Sequence, residues 1–208
     1  MDGCAAEGPV AWYRMDVSAA ENLVVDDAGG HDGMCQPGQC PVPIAGKVGV
    51  ALRFDGVDDH VRIPDDPDFY LSPGSATAWV YYSGPLTGVV VGKPCGLSDS
   101  DAWLLFVDPQ NDALASVGFE TGGDAVLRTT SAFEQERWTH LAVTWTPSRR
   151  RIYVNGDMKA EGAVAVTMDY DSRDVLLGGD ADAGALDEIR VYGREFSAVE
   201  IADEAGGK

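Results

Sequence analysis

The sequence predicts an all-β protein: a jelly-roll sandwich of two antiparallel sheets, followed by one short C-terminal helix. Segments rich in β-branched and aromatic residues recur roughly every 10 to 15 residues, with Gly, Asp, Asn or Pro between them. Within most of these segments apolar and polar residues alternate, which is the period of a strand with one buried face. No segment before the C-terminus has helical periodicity, so the strands are expected to pack on each other.

Each predicted strand has its own pattern. Residues 102–107 are apolar on both faces, which predicts a central strand. Asn155-Gly156 lies between two alternating segments and is the strongest short hairpin signal in the chain. The predicted strands are residues 9–16, 50–54, 60–64, 75–82, 89–93, 102–107, 113–120, 137–145, 151–157, 163–168, 174–178 and 186–192.

Two local sequences predict further detail. Residues 50–54 and 60–64 flank an Asp-Gly turn and predict a hairpin, with the apolar side chains of both strands facing the core. We expect the carboxylates of that turn, Asp55, Asp58 and Asp59, to shape it. Residues 196–202 predict the helix, because its Ser-x-x-Glu start at position 197 has the spacing of a capping box.

Length and charge limit the organisation and the partners. The chain has 208 residues, of which 45% are hydrophobic, and no linker or repeat divides it, so residues 1–208 are predicted to form one domain. The net charge of −19 argues against nucleic acid or an anionic membrane as partner. No apolar run has transmembrane length. The first residues lack the pattern of a signal peptide, and we expect a removed leader or a module of a longer protein.

The four cysteines favour an oxidising compartment. Cys35 and Cys40 flank a Gln-Pro-Gly-Gln turn and are the most natural disulfide pair, which leaves Cys4 with Cys95 by elimination only. Three connectivities fit the sequence, and four free thiols are the alternative. The spacing lacks the companion ligands of a zinc site.

The segment from residue 176 to residue 192 concentrates carboxylates. Strict alternation places Asp187 on the same face as Ile189 and Val191, whereas Asp180 and Asp182 lie in the preceding loop. A carboxylate on a core-facing side is costly unless a cation or several hydrogen-bond donors balance it. The sequence therefore raises the question of which of these two balances Asp187.

In order and spacing, five stretches resemble the LamG-like jelly-roll family, which has the concanavalin A-like lectin/glucanase fold. The resemblance covers nearly the whole chain and implies that fold, but the fold hosts lectins, adhesion modules, enzyme appendages and pentraxin-like oligomers. An oligomer is therefore compatible with the sequence. The stretches are residues 10–13 with the Asp-Gly-rich loop after them, 50–61, 78–80, 137–145 with 153–156, and 186–192 through Ile201.

The resemblance also implies calcium at two positions. One ion would join Asp26 and Asp27 in the early loop to Asp187. The alternative is that Asp26 and Asp27 cap a turn and that Asp187 accepts backbone N–H bonds. The other ion would occupy a site that resembles the pentraxin rim, although the chain is shorter after that loop than pentraxins are. Its ligands would be Asp99, Asp101, Asp180 and Asp182.

Glycan sites combine an aromatic plate with hydrogen-bonding groups, and several aromatic residues are candidates. Trp103 begins its strand just after the acidic turn, and Tyr81 and Tyr153 are the other predicted ligand-binding residues. Three tryptophans alternate with apolar residues in long strands and are predicted to be core residues instead: Trp79, Trp138 and Trp145.

The chain lacks the features of an enzyme. No pair of carboxylates has the strand spacing that glycosidases of this fold use, and the three histidines are scattered. We therefore predict a non-catalytic, calcium-stabilised, carbohydrate-binding module of a secreted or cell-surface protein. The alternative is an adhesive or structural protein-interaction domain with at most a structural calcium, so the partner is a glycan or a surface protein.

Overall fold

The structure of the protein is a computed structural model. It describes residues 8–16, 22–83, 87–94, 101–111, 114–122, 126–130, 133–164, 168–179 and 183–207. The strands are β1 (Ala11–Tyr13), β2 (Leu23–Val24), β3 (Gly33–Met34), β4 (Val42–Ala45), β5 (Val50–Asp55), β6 (Val61–Ile63), β7 (Gly74–Tyr82), β8 (Gly88–Pro94), β9 (Asp101–Asn111), β10 (Leu114–Thr121), β11 (Leu127–Arg128), β12 (Phe133–Glu134), β13 (Trp138–Trp145), β14 (Arg149–Val154), β15 (Asp157–Ala163), β16 (Val175–Leu177) and β17 (Ala183–Tyr192). A 3-10 helix spans Pro67–Phe69, and helix α1 spans Ala198–Ala205.

The strands form two antiparallel sheets, as the sequence predicts. The first sheet has the order β15-β14-β13-β7-β17-β5-β4, and β1 also pairs with β17. The second sheet has the order β11-β10-β9-β8-β16-β6-β3-β2, and β12 also pairs with β10. In the middle of each sheet, strands that are distant in sequence lie side by side, β7 with β17 and β8 with β16, which is typical of a jelly roll.

The core lies between the two sheets and contains most of the large apolar side chains. Trp145 of the first sheet stacks on Trp103 of the second with ring centroids 5.5 Å apart, and Phe119 lies 5.4 Å from Trp145. The indole N–H of Trp145 donates to the carbonyl of Leu71 at 2.9 Å, so its one polar atom is satisfied. Burial of such rings supplies much of the hydrophobic stabilisation of a sandwich.

The predicted hairpin between residues 50–54 and 60–64 is wrong. Both segments are strands, and their apolar side chains are buried as predicted, but β5 belongs to the first sheet and β6 to the second. The acidic turn therefore crosses between the sheets. Asp55 caps it by accepting the N–H of Val57 at 2.9 Å, and Asp59 accepts the N–H of Asp55 at 2.9 Å.

Helix α1 begins where the capping box predicts. The hydroxyl of Ser197 accepts the N–H of Glu200 at 3.3 Å, and the Glu200 carboxylate accepts the N–H of Ser197 at 2.8 Å. The helix buries Ile201 against Tyr153 and Tyr192, which lie on the face of the first sheet that points away from the core. One end of this outer face is thus covered by the chain's own C-terminus.

A β-bulge in β17 changes which residues face the core. Between Asp187 and Arg190 the pairing with β7 shifts register, and Glu188 has a positive φ of 51°. The extra residue moves Ile189 onto the core face, whereas Asp187 and Arg190 lie on the outer face. The prediction that Asp187 shares a face with Ile189 and Val191 is therefore wrong, because it assumed an unbroken alternation.

Cys35 and Cys40 form the predicted disulfide bond. The other predicted pair, Cys4 and Cys95, lies outside the described residues and stays a prediction. Neither helix in the described part of the chain is long and apolar enough to cross a membrane.

Candidate functional site

Asp26 and Asp27 do not join Asp187 in the structure. The Asp26 carboxylate accepts backbone N–H groups from Trp12 at 2.8 Å, Ala28 at 2.9 Å and His31 at 3.1 Å. Asp27 is exposed on the same turn. Among the described residues, no group of three metal-ligating side chains contains any of these three aspartates. The predicted calcium cage is therefore wrong, and the alternative, in which Asp26 caps a turn, is correct.

Asp187 is fully buried and is held by the loop between β4 and β5. One of its oxygens accepts the N–H of Val48 at 2.9 Å, whereas its other oxygen, Oδ1, has no hydrogen-bond partner among the described residues. Burial raises the pKa of Asp187 from 3.8 to about 6, and the neighbouring charge of Glu188 adds to the effect. Backbone donors, not an ion shared with Asp26, thus balance part of this charge.

The predicted rim site stays a prediction. Asp99, Asp180 and Asp182 lie outside the described residues, and Asp101 is described only as a backbone position of β9 that pairs with Pro94.

Two of the predicted ligand-binding aromatic residues are inaccessible. Trp103 has no exposed surface, and its indole N–H donates to the carbonyl of Phe69 at 3.2 Å in the core. Tyr153 is 1% exposed because helix α1 covers it. Stacking on a sugar needs an open ring face, so both predictions are wrong. Tyr81 is only partly buried and stays a candidate.

Three aromatic side chains that share the outer face of the first sheet remain partly exposed. We call Trp79, Tyr81 and Trp138 the aromatic face. The Tyr81 and Trp138 rings pack edge to face with centroids 5.7 Å apart, on directly paired positions of β7 and β13. Trp79 and Trp138 were predicted to be core residues, and that prediction is wrong.

The reason for this error is that β7 and β13 carry apolar residues on both faces. Ala78 and Val80 face the core, whereas Trp79 and Tyr81 face outward, and composition alone does not rank the two faces. A local signal was available in the sequence: Trp138 directly follows a run of four polar residues, 134–137, at the start of its strand.

A cleft of about 500 Å³ opens beside Trp138. It lies where the turn between β14 and β15 approaches the start of β13. Exposed charged and amide side chains line it, so it offers both donors and acceptors around one partly exposed indole. The lining residues are Phe133, Glu134, Arg137, Trp138, Thr139, Val154, Asn155, Asp157 and Lys159.

The turn that borders this cleft is held in place by its backbone conformation and by a hydrogen bond to β13. Asn155 and Gly156 both have positive φ values, 50° and 85°, as the Asn-Gly hairpin signal predicts. The side-chain oxygen of Asn155 also accepts the N–H of His140 at 2.9 Å, which ties the turn to β13.

Within the aromatic face, Trp79 is paired with two buried titratable residues. It is paired with Asp187 of β17 on one side and with His140 of β13 on the other, and its ring lies 5.3 Å from the imidazole. Burial lowers the pKa of His140 from 6.5 to about 4, and the charge of Arg190 adds to this. The ammonium group of Lys47 lies 4.2 Å from the Trp79 ring centroid.

The described residues contain two groups of side chains that could hold a metal. One is Asp55, Asp58 and Asp59 in the turn between the sheets. The other comprises His31, Asp66 and Asp68. Neither group was predicted as a metal site.

Comparison of the sequence with models of protein families assigns the chain to a family. A model of the concanavalin A-like lectin/glucanases superfamily matches residues 55–202. The chain belongs to this superfamily. This confirms the resemblance identified from the sequence. A comparison with curated protein sequences finds no match.

Solved structures in this superfamily's fold include binding domains and parts of enzymes. Domain 4 of AbnA, a GH43 extracellular arabinanase from Geobacillus stearothermophilus, in complex with arabinotriose, is 21% identical with a TM-score of 0.73; the match covers 96% of this chain and 100% of that one. The binding domain of Paraclostridial mosquitocidal protein 1 is 13% identical with a TM-score of 0.74, over 96% and 52% of the chains. Trypanosoma rangeli sialidase is 17% identical with a TM-score of 0.70, over 95% and 33%.

These similarities establish the fold and no more, because all three identities are low. The chain spans about a third of the sialidase and about half of the mosquitocidal binding domain. It does span the whole of the arabinanase domain. The chain therefore matches the arabinanase domain in extent.

Proposed function

We propose that the protein is a non-catalytic carbohydrate-binding domain whose ligand lies in the cleft beside Trp138. The observation that carries this proposal is a partly exposed tryptophan in a cleft of about 500 Å³ lined by exposed polar side chains. Small-molecule sites are usually of this size, with a few placed polar groups around an apolar surface.

The chemistry of the cleft suits a sugar. The apolar C–H face of a pyranose or furanose stacks on an aromatic ring, while its hydroxyls need both donors and acceptors. Trp138 supplies the ring, and Tyr81 supports it from the neighbouring strand. The side-chain amide N–H₂ of Asn155 offers a donor at the rim, and the exposed side chain is held in place because its oxygen accepts the His140 N–H.

The carboxylates of the cleft favour binding over catalysis. Glu134 pairs with Arg137, and Asp157 lies 3.2 Å from Lys159. Both carboxylates are exposed, whereas glycoside hydrolysis needs one carboxyl group in an environment that keeps it protonated. We therefore propose that the domain holds its ligand without cleaving it.

Calcium binding and the cellular location of the protein are two further parts of the proposal, and each has its own support. We propose that any calcium lies at the predicted rim residues and stabilises loops, because the cleft carboxylates are already paired with cations. Binding at Trp138 should then survive chelation. A secreted or cell-surface protein is proposed from the disulfide and from the extracellular arabinanase that shares the fold.

Substitution of Trp138 tests the site. A glycan array that includes arabino-oligosaccharides, run with calcium and with chelator, first identifies a ligand. Trp138→Ala is then expected to weaken binding of that ligand by roughly 10- to 100-fold, the size of effect known when a ring that stacks on an aromatic side chain loses its partner, about 1–3 kcal/mol. Isothermal titration calorimetry measures the change, and Trp138→Phe should retain part of the affinity.

Val57→Ala is the matched control. Val57 is exposed and lies in a smaller cleft of about 180 Å³ beside His60 and Gly179, away from the aromatic face. Unchanged affinity in Trp138→Ala, or loss of affinity in Val57→Ala, would contradict the proposed site. No glycan signal in either condition would favour the protein-interaction alternative.

A further inference from the structure

We infer that His31, Asp66 and Asp68 form a binding site for a divalent transition metal ion, with Asp26 as the carboxylate that orients the histidine. The site lies where the turn after β2 meets the 3-10 helix Pro67–Phe69. Nε2 of His31 is 3.5 Å from a carboxylate oxygen of Asp68 and 3.9 Å from one of Asp66. This inference is independent of the carbohydrate site.

The imidazole of His31 is aimed at these two carboxylates. Its side chain is 10% exposed, and Nδ1 has no hydrogen-bond partner among the described residues. Nδ1 instead lies 3.5 Å from an oxygen of Asp26, on the side of the ring opposite the other two aspartates. Histidines that bind metals usually donate their second ring N–H to a carboxylate, and Asp26 is the carboxylate nearest to Nδ1, which leaves Nε2 as the ligand atom.

The surrounding contacts hold this geometry. The Asp26 carboxylate is fixed by three backbone N–H groups, and the Phe69 ring packs edge to face against His31 with centroids 4.8 Å apart. The hydroxyl of Tyr13 donates to the His31 carbonyl at 2.7 Å.

The distances suit a bound ion, and the imidazole ligand favours a transition metal over calcium. Ligands at about 2.0–2.2 Å around a tetrahedral ion are separated by roughly 3.4 Å, close to the two observed nitrogen–oxygen distances. Small side-chain rotations would complete the geometry, because Asp68 is mostly exposed. Calcium prefers six to eight oxygen ligands, whereas an imidazole nitrogen favours zinc and similar ions.

A competing explanation is that His31 and the three carboxylates pair only with one another. That arrangement needs no ion and would make the cluster an ordinary surface ion network. The two explanations predict different responses to added metal, because only a chain with an ion site is stabilised by Zn²⁺.

Zinc titration separates them. Tag-free protein, stripped with chelator and exchanged into buffer at pH 7.5, is expected to bind one Zn²⁺ per chain by calorimetry and to melt at a higher temperature with Zn²⁺ than with Ca²⁺. His31→Asn and Asp68→Asn are each expected to weaken Zn²⁺ binding more than tenfold. His60→Asn, which lies near the acidic turn between the sheets, is the matched control and should bind normally.

Three results would overturn the inference. They are no Zn²⁺ binding by the unaltered chain, equal stabilisation by Zn²⁺ and Ca²⁺, or loss of binding in His60→Asn but not in His31→Asn. If His31→Asn proves unstable, Asp68→Asn decides, because that carboxylate is 67% exposed and its removal leaves the core unchanged.

Discussion

Replacement of Lys93 by methionine is expected to lower the free energy of unfolding by about 3–5 kcal/mol, because it removes one partner of a buried ion pair. Lys93 has no exposed surface, and its ammonium group lies 2.6 Å from a carboxylate oxygen of Asp65. It also donates to the carbonyls of Asp171, at 2.9 Å, and Arg173. The substitution leaves all three acceptors without this donor.

The loss matters for the fold because these acceptors lie on separate segments. Lys93 on β8 ties the segment before the 3-10 helix to the loop that leads into β16. Chemical denaturation and thermal melting measure the effect, and the melting temperature should fall by roughly 10 °C for a chain of this length.

Lys159→Met provides the comparison for this prediction. Lys159 pairs with Asp157 on the surface, with side chains 33% and 78% exposed. Exposed pairs contribute about 0–1 kcal/mol, so this variant should melt close to the unaltered protein. Similar melting temperatures for the Lys93 and Lys159 variants would show that the buried contacts do not stabilise the fold as argued.

Asp187→Asn is expected to change how stability depends on pH. The folded state raises the pKa of Asp187 from 3.8 to about 6, so it binds this proton more tightly than the unfolded chain does. The contribution of Asp187 to stability is therefore present at low pH and is lost as pH rises from about 4 to about 6. A difference of this size corresponds to about 3 kcal/mol.

His140 acts in the opposite direction. Its pKa falls from 6.5 to about 4 on folding, so the folded state holds the neutral ring. The stability that His140 contributes is present above about pH 6.5 and is lost as pH falls towards about 4. In the unaltered protein the two residues, which flank Trp79, largely offset each other across this range.

The melting temperatures of the two single variants and of the double variant separate the contributions of Asp187 and His140 to stability. Relative to the unaltered protein, the melting temperature of Asp187→Asn should rise by roughly 4–8 °C as pH increases from 4 to 6, because about 2 kcal/mol of the difference falls within this range. His140→Gln should show the reverse trend, and the double variant should follow the unaltered protein. Parallel melting curves for all four proteins across this pH range would refute the assigned roles.

The local features of the chain could be predicted well because short-range chemistry decides them. The Ser197–Glu200 capping box starts helix α1, and Asn155-Gly156 turns β14 into β15, as the sequence indicates. Cys35 and Cys40 are close in sequence across a turn and form the expected disulfide. The family resemblance and the two-sheet sandwich are likewise confirmed.

The residues of the candidate site were predicted less well, because the burial of their side chains depends on which segments of the chain pack together. Trp103 and Trp138 both stand at or near the start of a strand, yet one is in the core and the other beside a cleft. The sequence contains no signal for helix α1 covering Tyr153. The His31 cluster is similar, since its members come from segments more than thirty residues apart.

The sequence by itself determined the class of fold, the strand-forming segments, the turn and helix signals, and the excess of carboxylates. Only the tertiary structure decided how those carboxylates are balanced and which aromatic rings remain accessible. The bulge at Glu188 shows the physical reason: one extra residue turns Ile189 towards the core and leaves Asp187 on the outer face. Strand partners and register, rather than local alternation, assign each side chain to the core or to a site.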